Sequence, residues 1–290
     1  MKQIVLSDRI ATARWLDRIA GAVRDAAGTV LPPGKVKDVL HGLWQGHPVH
    51  PALAQFTFGC FTGAALLDVT GVQGAVPLIR YGIAGSVPTA VTGLADYSDA
   101  HEEQQRVGVV HGMANLAALL CYVGSLRLRA TGRRGGGALA LGGFGLLTAA
   151  ATLGGELSFR WATGPNHAAE VPHAGPADWT DLGPVTDFAH NQPVRRMAGL
   201  IPVLVLARDG GFHVLHDRCA HLAAPLHQGE VTDRDGVPCV TCPWHRSVFR
   251  MTDGVVLRGP STAPQPVLDV RVREDRLEVK VREIPGVAAS

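Results

Sequence analysis

The sequence predicts a chain of two parts, an all-α four-helix transmembrane bundle followed by an all-β domain of antiparallel sheets. Three observations carry that prediction. Long apolar segments fill the stretch from Pro51 to Gly155, where charged residues thin out. After Gly155 the texture changes to short apolar runs broken by turn residues. Within that second part stand two Cys-His pairs, Cys219 with His221 and Cys242 with His245.

At 290 residues the chain has room for two ordinary domains, and its formal charge is +2. No basic run interleaved with aromatics is present, which argues against nucleic acid as a partner. A mean hydropathy of +0.13 with 18% charged residues is high for a soluble protein. The N-terminal stretch has no apolar core of signal-peptide type. Residues 1–37 read as an amphipathic helix and linker, with Ile10, Trp15, Ile19 and Val23 on one face. The five cysteines are an odd number, unlike a secreted disulfide framework.

Residues 38–168 form the expected membrane domain. A bilayer-spanning helix needs about 20 apolar residues. The segments 51–71 and 107–126 meet that need, and 137–155 carries no charge. The segment 78–95 is interrupted by Arg80 and Pro88. Dense Gly and Ala suit close helix contact in lipid; an Ala-rich soluble bundle is the alternative. A polar linker follows over 169–178, and the β-domain is expected over 179–290. Its strands are "IPVLVLA", "FHVLHD", "VPCVTC", "VLDVRVRE" and "RLEVKVRE", separated by RDGG, DRDG, MTDG and REDR. Cys239 lies on one of these strands, where a free thiol ordinarily packs in the core.

Four soft or borderline donors converge if the two Cys-His loops are neighbours. Zinc accepts Cys2His2 sets, but usually with each half drawn from a Cys-Cys or His-His knuckle. Here each half carries one of each, which suits a binuclear cluster with two thiolates on one iron and two imidazoles on the other. The surroundings, "DRCAHLAAPLHQGEV" and "CPWHRSVFRMTDGVVLRGPSTAPQP", resemble the two cluster loops and proline-rich loop of the Rieske [2Fe-2S] family over roughly 175–283. That resemblance implies a [2Fe-2S] cluster, with Cys219 and Cys242 on the buried ferric iron and His221 and His245 on the outer iron. In the quinol-oxidising branch a disulfide ties the loops, whereas Ala224 and Trp244 occupy those places here. Ser247 matches a hydrogen-bonding serine of that branch, and Phe249 stands where a tyrosine would donate. A lower reduction potential is therefore expected.

"HGLWQGHPVHPALAQF", "TGLADYSD", "RVGVVHGMANL" and "LGGELSF" followed by "GPNH" resemble an uncharacterised four-helix membrane family with an HPxHP signature, over about 38–168. In an up-down bundle His41, His47, His50, His101, His111 and His167 all fall near one membrane face. Imidazoles there suit a b-type haem, another metal or a quinone, with His47, His50, His111 and His167 as the site. The plainer alternative is that HPxHP caps the first helix, with Pro51 in its first turn and the rings bonded to backbone or to Asp96.

The expected function is an electron carrier of the cell membrane, passing single electrons between a redox partner protein and a membrane or soluble acceptor. The chain has no histidine after His245 and so no set for a mononuclear oxygenase iron. An oxygenase role would be that of a ferredoxin component, and a redox or metal sensor is a third class. The four arginines of "RLRATGRRGGG" favour a cytoplasmic third loop. The lack of a cleavable signal and of the loop disulfide favours a cytoplasmic Rieske domain instead, the orientation expected here.

Overall fold

The computed structural model describes residues 6–282. Residues 1–5 of the expected N-terminal helix and 283–290 of the expected β-domain lie outside them. The chain divides into two compact units, residues 1–41 with 48–163, and residues 42–47 with 164–290.

In the first unit, α1 (Leu6–Ala11) stops where Thr12 Oγ1 donates to the carbonyls of Asp8 and Arg9. A 3-10 turn (Arg14–Leu16) leads into α2 (Asp17–Val30). The expected single amphipathic helix is therefore broken. The tighter turn rotates the register, so Leu16 and Ala20 pack inward with Val23 beside them, while Trp15 and Ile19 face out. Ile10, Trp15, Ile19 and Val23 do not share one face.

Short α3 (Lys35–His41) precedes four long helices, α4 (His50–Thr70), α5 (Ala75–Ser98), α6 (Glu102–Ala130) and α7 (Gly136–Phe159). Pro51 sits in the first turn of α4, where its missing N–H removes no helical bond. At the start of α6, the Gln104 side chain accepts the His101 N–H at 2.8 Å. Helices α4, α6 and α7 are long and apolar enough to cross a membrane. Helix α5 has the length but holds Arg80, Pro88 and Asp96. Helix α4 packs chiefly on α5, and α6 on α7. Phe61, Ile79, Ala118, Tyr122 and Ala140 form their core, in which Phe61 stacks on Tyr122 with centroids 3.8 Å apart. Gly82 permits that packing, since a Cβ there would fall 2.7 Å from the Phe61 ring. Phe56, Leu66, Val87, Leu116 and Leu120 point outward, as helices that are apolar all round do in lipid.

Beside these helices lies a buried charged cluster. Lys37 Nζ is 2.7 Å from Asp99 Oδ2, and His41 bonds Asp96 Oδ1 at 2.9 Å through Nδ1. His41 Nε2 makes a 3.1 Å ion-pair contact with Asp99. Burial opposes charge on the ring, but both carboxylates outweigh it and hold His41 up at about 9.

The second unit contains one short helix, α8 (Val171–Ala174), and three antiparallel sheets. The first orders β1 (Thr180–Pro184), β10 (Arg276–Val281) and β9 (Leu268–Arg273). The second runs β2 (Pro193–Ala198), β3 (Ile201–Arg208), β4 (Gly211–His216). The third runs β5 (Glu230–Arg234), β6 (Val237–Thr241), β7 (Val248–Arg250), β8 (Val256–Arg258). Strand β3 explains its unbroken apolar run. Val203 and Val205 enter one core and Leu204 and Leu206 another, so both faces are covered. Three hairpins turn through consecutive positive-φ pairs, Asp209-Gly210, Asp235-Gly236 and Glu274-Asp275. That twist matches the flanking strands.

Candidate metal centre

Two loops on the second core present the Cys-His pairs. In the first, Cys219 N–H donates to the Ala224 carbonyl at 2.9 Å and Ala223 N–H to the Cys219 carbonyl at 2.8 Å. In the second, Cys242 N–H donates to Ser247 at 2.8 Å and Arg246 N–H to Cys242 at 3.2 Å. Each loop turns through a positive φ four residues after its cysteine, 59° at Ala223 and 66° at Arg246. The loops are thus built alike despite unequal Cys-to-His spacing.

This backbone brings all four sequence-predicted ligands together. Cys219 and Cys242 are buried and hydrogen-bonded to each other. His221 and His245 are half-buried, with ring centroids 5.1 Å apart and planes at 89°. Backbone N–H groups of His221 and Leu222 bond the Cys219 sulfur, and those of Trp244 and His245 bond the Cys242 sulfur. The hydrogen bond from Cys219 brings the Cys242 thiol down to about 7 against its burial, with the two backbone donors assisting. Cys219, the donor in that bond and itself buried, rises. Among the described residues no three His, Cys, Asp or Glu side chains are arranged around a single ion.

The neighbours complete the setting. Ser247 is buried, and its Oγ accepts the Ser261 N–H at 2.9 Å, which leaves its own proton to donate. Phe249 is fully buried in β7 and Ala224 in the core beneath, while Trp244 is exposed, its ring 6.4 Å from that of His245. All five cysteines are free thiols, so no disulfide ties the loops. Cys239 is buried on β6.

Sequence reasoning missed two residues that hold the first loop. The buried Gln265 amide accepts the Ala220 N–H at 2.9 Å and donates to the carbonyls of His216 and Arg218, both at 2.7 Å. Asp217 accepts the His227 backbone and ring N–H, each at 2.8 Å. The only signal for Gln265 was a polar side chain between prolines in "PQP". Gly254 has a plainer reason to be glycine, since its φ is 72° and a Cβ would fall 1.8 Å from the Gln265 carbonyl oxygen.

The four membrane-site histidines are divided. His47 belongs to the second unit, where Gln45 Nε2 donates to its carbonyl at 3.1 Å. His167 is in the same unit and gives its backbone N–H to Ala220 at 2.9 Å. His50 and His111 belong to the first unit.

Residues 178–277 match the Rieske [2Fe-2S] domain family, and residues 46–166 match a predicted membrane protein family, DUF2231. The anthranilate 1,2-dioxygenase ferredoxin subunit of Burkholderia cepacia is 32% identical over 105 residues, 36% of this chain and 94% of that one. The 3-phenylpropionate/cinnamic acid dioxygenase ferredoxin subunit of Shigella boydii is 30% identical over 101 residues, 34% of this chain and 91% of the relative. Among solved structures, the ferredoxin of carbazole 1,9a-dioxygenase from Nocardioides aromaticivorans aligns at 18% identity and a TM-score of 0.34. It covers 36% of this chain and 98% of that one.

Proposed function

Because the chain belongs to the Rieske [2Fe-2S] family through its C-terminal domain, we propose that it is a membrane-anchored carrier of single electrons between a redox partner protein and a membrane or soluble acceptor. The observation that carries this reading is the pairing at the two loops, buried thiol beside buried thiol and imidazole beside imidazole. Such a donor set fits a cluster in which each iron takes only two protein ligands, and no single-ion set competes among the described residues. Cys219 and Cys242 would hold the inner iron, and His221 and His245 the outer one.

When bound, a [2Fe-2S] cluster supplies a one-electron couple. The chain's own residues set its surroundings. Four backbone N–H groups at the cysteine sulfurs stabilise negative charge there. The Ser247 hydroxyl adds a donor, and Phe249, lacking a hydroxyl, adds none, which supports a potential below that of a tyrosine-bearing site. Trp244 offers an exposed apolar surface beside His245 to a partner. Helices α4, α6 and α7 supply the anchor, and α5 joins them as a fourth span, with Asp96 bonded to His41 and the exposed Arg80 near the helix start, where its long side chain can reach the interface. The domains follow these assignments, with the membrane part over 38–168 and the Rieske part over 179–290 on the cytoplasmic side.

A second reading is favoured by the names of the relatives, which are ferredoxin subunits of dioxygenases. In it the chain serves as the ferredoxin component of a separate oxygenase. The reduced, purified protein should give the low-average-g EPR signal of a His-ligated [2Fe-2S] centre, and Cys242→Ser should abolish it. A colourless, zinc-loaded protein overturns both readings. Protease added outside intact cells should leave the β-domain uncut; cleavage reverses the orientation.

A further inference from the structure

The helical unit contains a repeat without insertions. Its period is 61 residues, the separation of His50 from His111, of Phe61 from Tyr122 and of Asp68 from Arg129. It relates 48–100 to 109–161, so the hairpin α4–α5 corresponds to the hairpin α6–α7. Gly71 and Gly74, both with positive φ at the first turn, return as Gly132 and Gly135 at the second. Contacts repeat as well. A Cβ on Gly63 would meet Leu78 at 3.0 Å, and one on Gly124 would meet its counterpart Leu139 at 2.9 Å. Phe61 stacks on Tyr122, and Asp68 pairs with Arg129 at 2.5 Å. Counterparts that touch each other are the signature of residues beside a two-fold axis.

The halves have diverged, which makes the exceptions informative. Of the titratable side chains in the first half, only His50 and Cys60 find the same residue in the second. Both histidines are also held in the same manner. His50 Nδ1 lies 2.9 Å from the Thr89 carbonyl, and His111 Nδ1 lies 2.7 Å from that of Ala150, the counterpart of Thr89. A carbonyl only accepts, so Nδ1 carries the proton in each ring. The ring edges rest on Gly93 and Gly154, again counterparts, where a Cβ would come within 2.8 Å and 3.0 Å. At His111 the Nε2 lone pair accepts from Asn115 Nδ2 at 3.1 Å. His50 and His111 each stand three helical turns before Phe61 and Tyr122, on the same faces of α4 and α6 as that touching pair.

Histidines that ligate metals donate one ring N–H to a carbonyl or carboxylate and bind through the other nitrogen. A quinone carbonyl would need a donor, and both rings have committed theirs to the backbone. What each ring retains is a Lewis base. Among the described residues no third His, Cys, Asp or Glu joins them around one ion. The remaining coordination positions must therefore come with the metal. A tetrapyrrole brings four in one plane and leaves two axial positions, as many as there are imidazoles. We propose that His50 and His111 are the axial ligands of one b-type haem at the two-fold axis of the repeat, with Asn115 turning aside on binding. His47 and His167 lie outside the repeat and take no part. The inference rests on the helical unit alone and is independent of the cluster.

The test is titration of the full-length protein in detergent with haemin. One haem per chain should bind, with the optical and EPR spectra of a six-coordinate, low-spin, bis-imidazole iron. His50→Ala and His111→Ala should each weaken binding by about tenfold or more and leave residual haem five-coordinate and high-spin. His111→Met should retain the haem and change its spectra to those of a His-Met pair, which a misfolded protein would not do. Absence of saturable one-to-one binding overturns the proposal. So does an unchanged bis-imidazole spectrum in both alanine variants. Neither result depends on the iron-sulfur signal, so this proposal and the cluster reading fail separately.

Discussion

In the β unit the side chains proposed to hold the cluster sit on two loops, fixed by backbone hydrogen bonds that each loop makes with itself and by Gln265 beneath the first. In the helical unit His50 and His111 sit on long helices, and what fixes them is the neighbouring helix, through a carbonyl and a glycine. The difference shows in where a side chain's position is encoded. A loop encodes it within a few residues, so spacing reveals it. A helix pair encodes it in a partner residue 39 positions away, and spacing conceals it.

The largest effect should come from the loops. Cys219→Ser or Cys242→Ser should remove essentially all cluster absorbance and bound iron-sulfide while helical circular dichroism stays unchanged. Loss of the helical signal too would mean that the units do not fold separately. Next is the buried charge in the helical unit. His41 has a folded pKa of about 9 against an ordinary 6.5, so its contribution is complete below 6.5 and disappears as pH rises through 9. That amounts to about 3 kcal/mol. Asp99, held down by His41 and Lys37 against its burial, loses its contribution as pH falls through the carboxylate range. Thermal melts followed by helical signal should fall between pH 6.5 and 9, and Asp99→Asn should flatten that slope. The β unit should behave oppositely. Burial pushes the His216 imidazole down, so protonation opposes folding as pH drops below 6.5, and His216→Phe should reduce that acid sensitivity in β-sheet melts.

Gln265→Leu should then destabilise the β unit by about 2–3 kcal/mol, since it orphans one buried donor and two buried acceptors. Denaturant curves read by cluster bleaching will measure it. The smallest change expected is in potential. Phe249→Tyr should raise it without altering cluster content, as protein-film voltammetry can record, and an unchanged value would show that the added hydroxyl does not reach a sulfur.

The order of Cys and His along the chain was legible because the two loops are local and alike. Strands β3, β4, β6, β9 and β10 were legible from their apolar runs and turn pairs. Strands β7 and β8 were not, being three residues long. Strand β2 begins on proline and carries two arginines, so no alternation announces it. The apolar lengths of α4, α6 and α7 were plain, but the face of the N-terminal helix was misread, because Thr12 ends a turn that periodicity assumes continuous. The repeat was not legible because only 12 of its 53 aligned pairs are identical, and five of those are glycines. Only the structure shows which ring each glycine receives.

Asp68 and Arg129 occupy equivalent places in the two hairpins, yet one is an acid and the other a base. Were either hairpin to meet a second copy of itself, the same place would set like charge against like. Within one chain the two hairpins therefore meet through complementary charge at a place that would repel in a symmetric dimer of either.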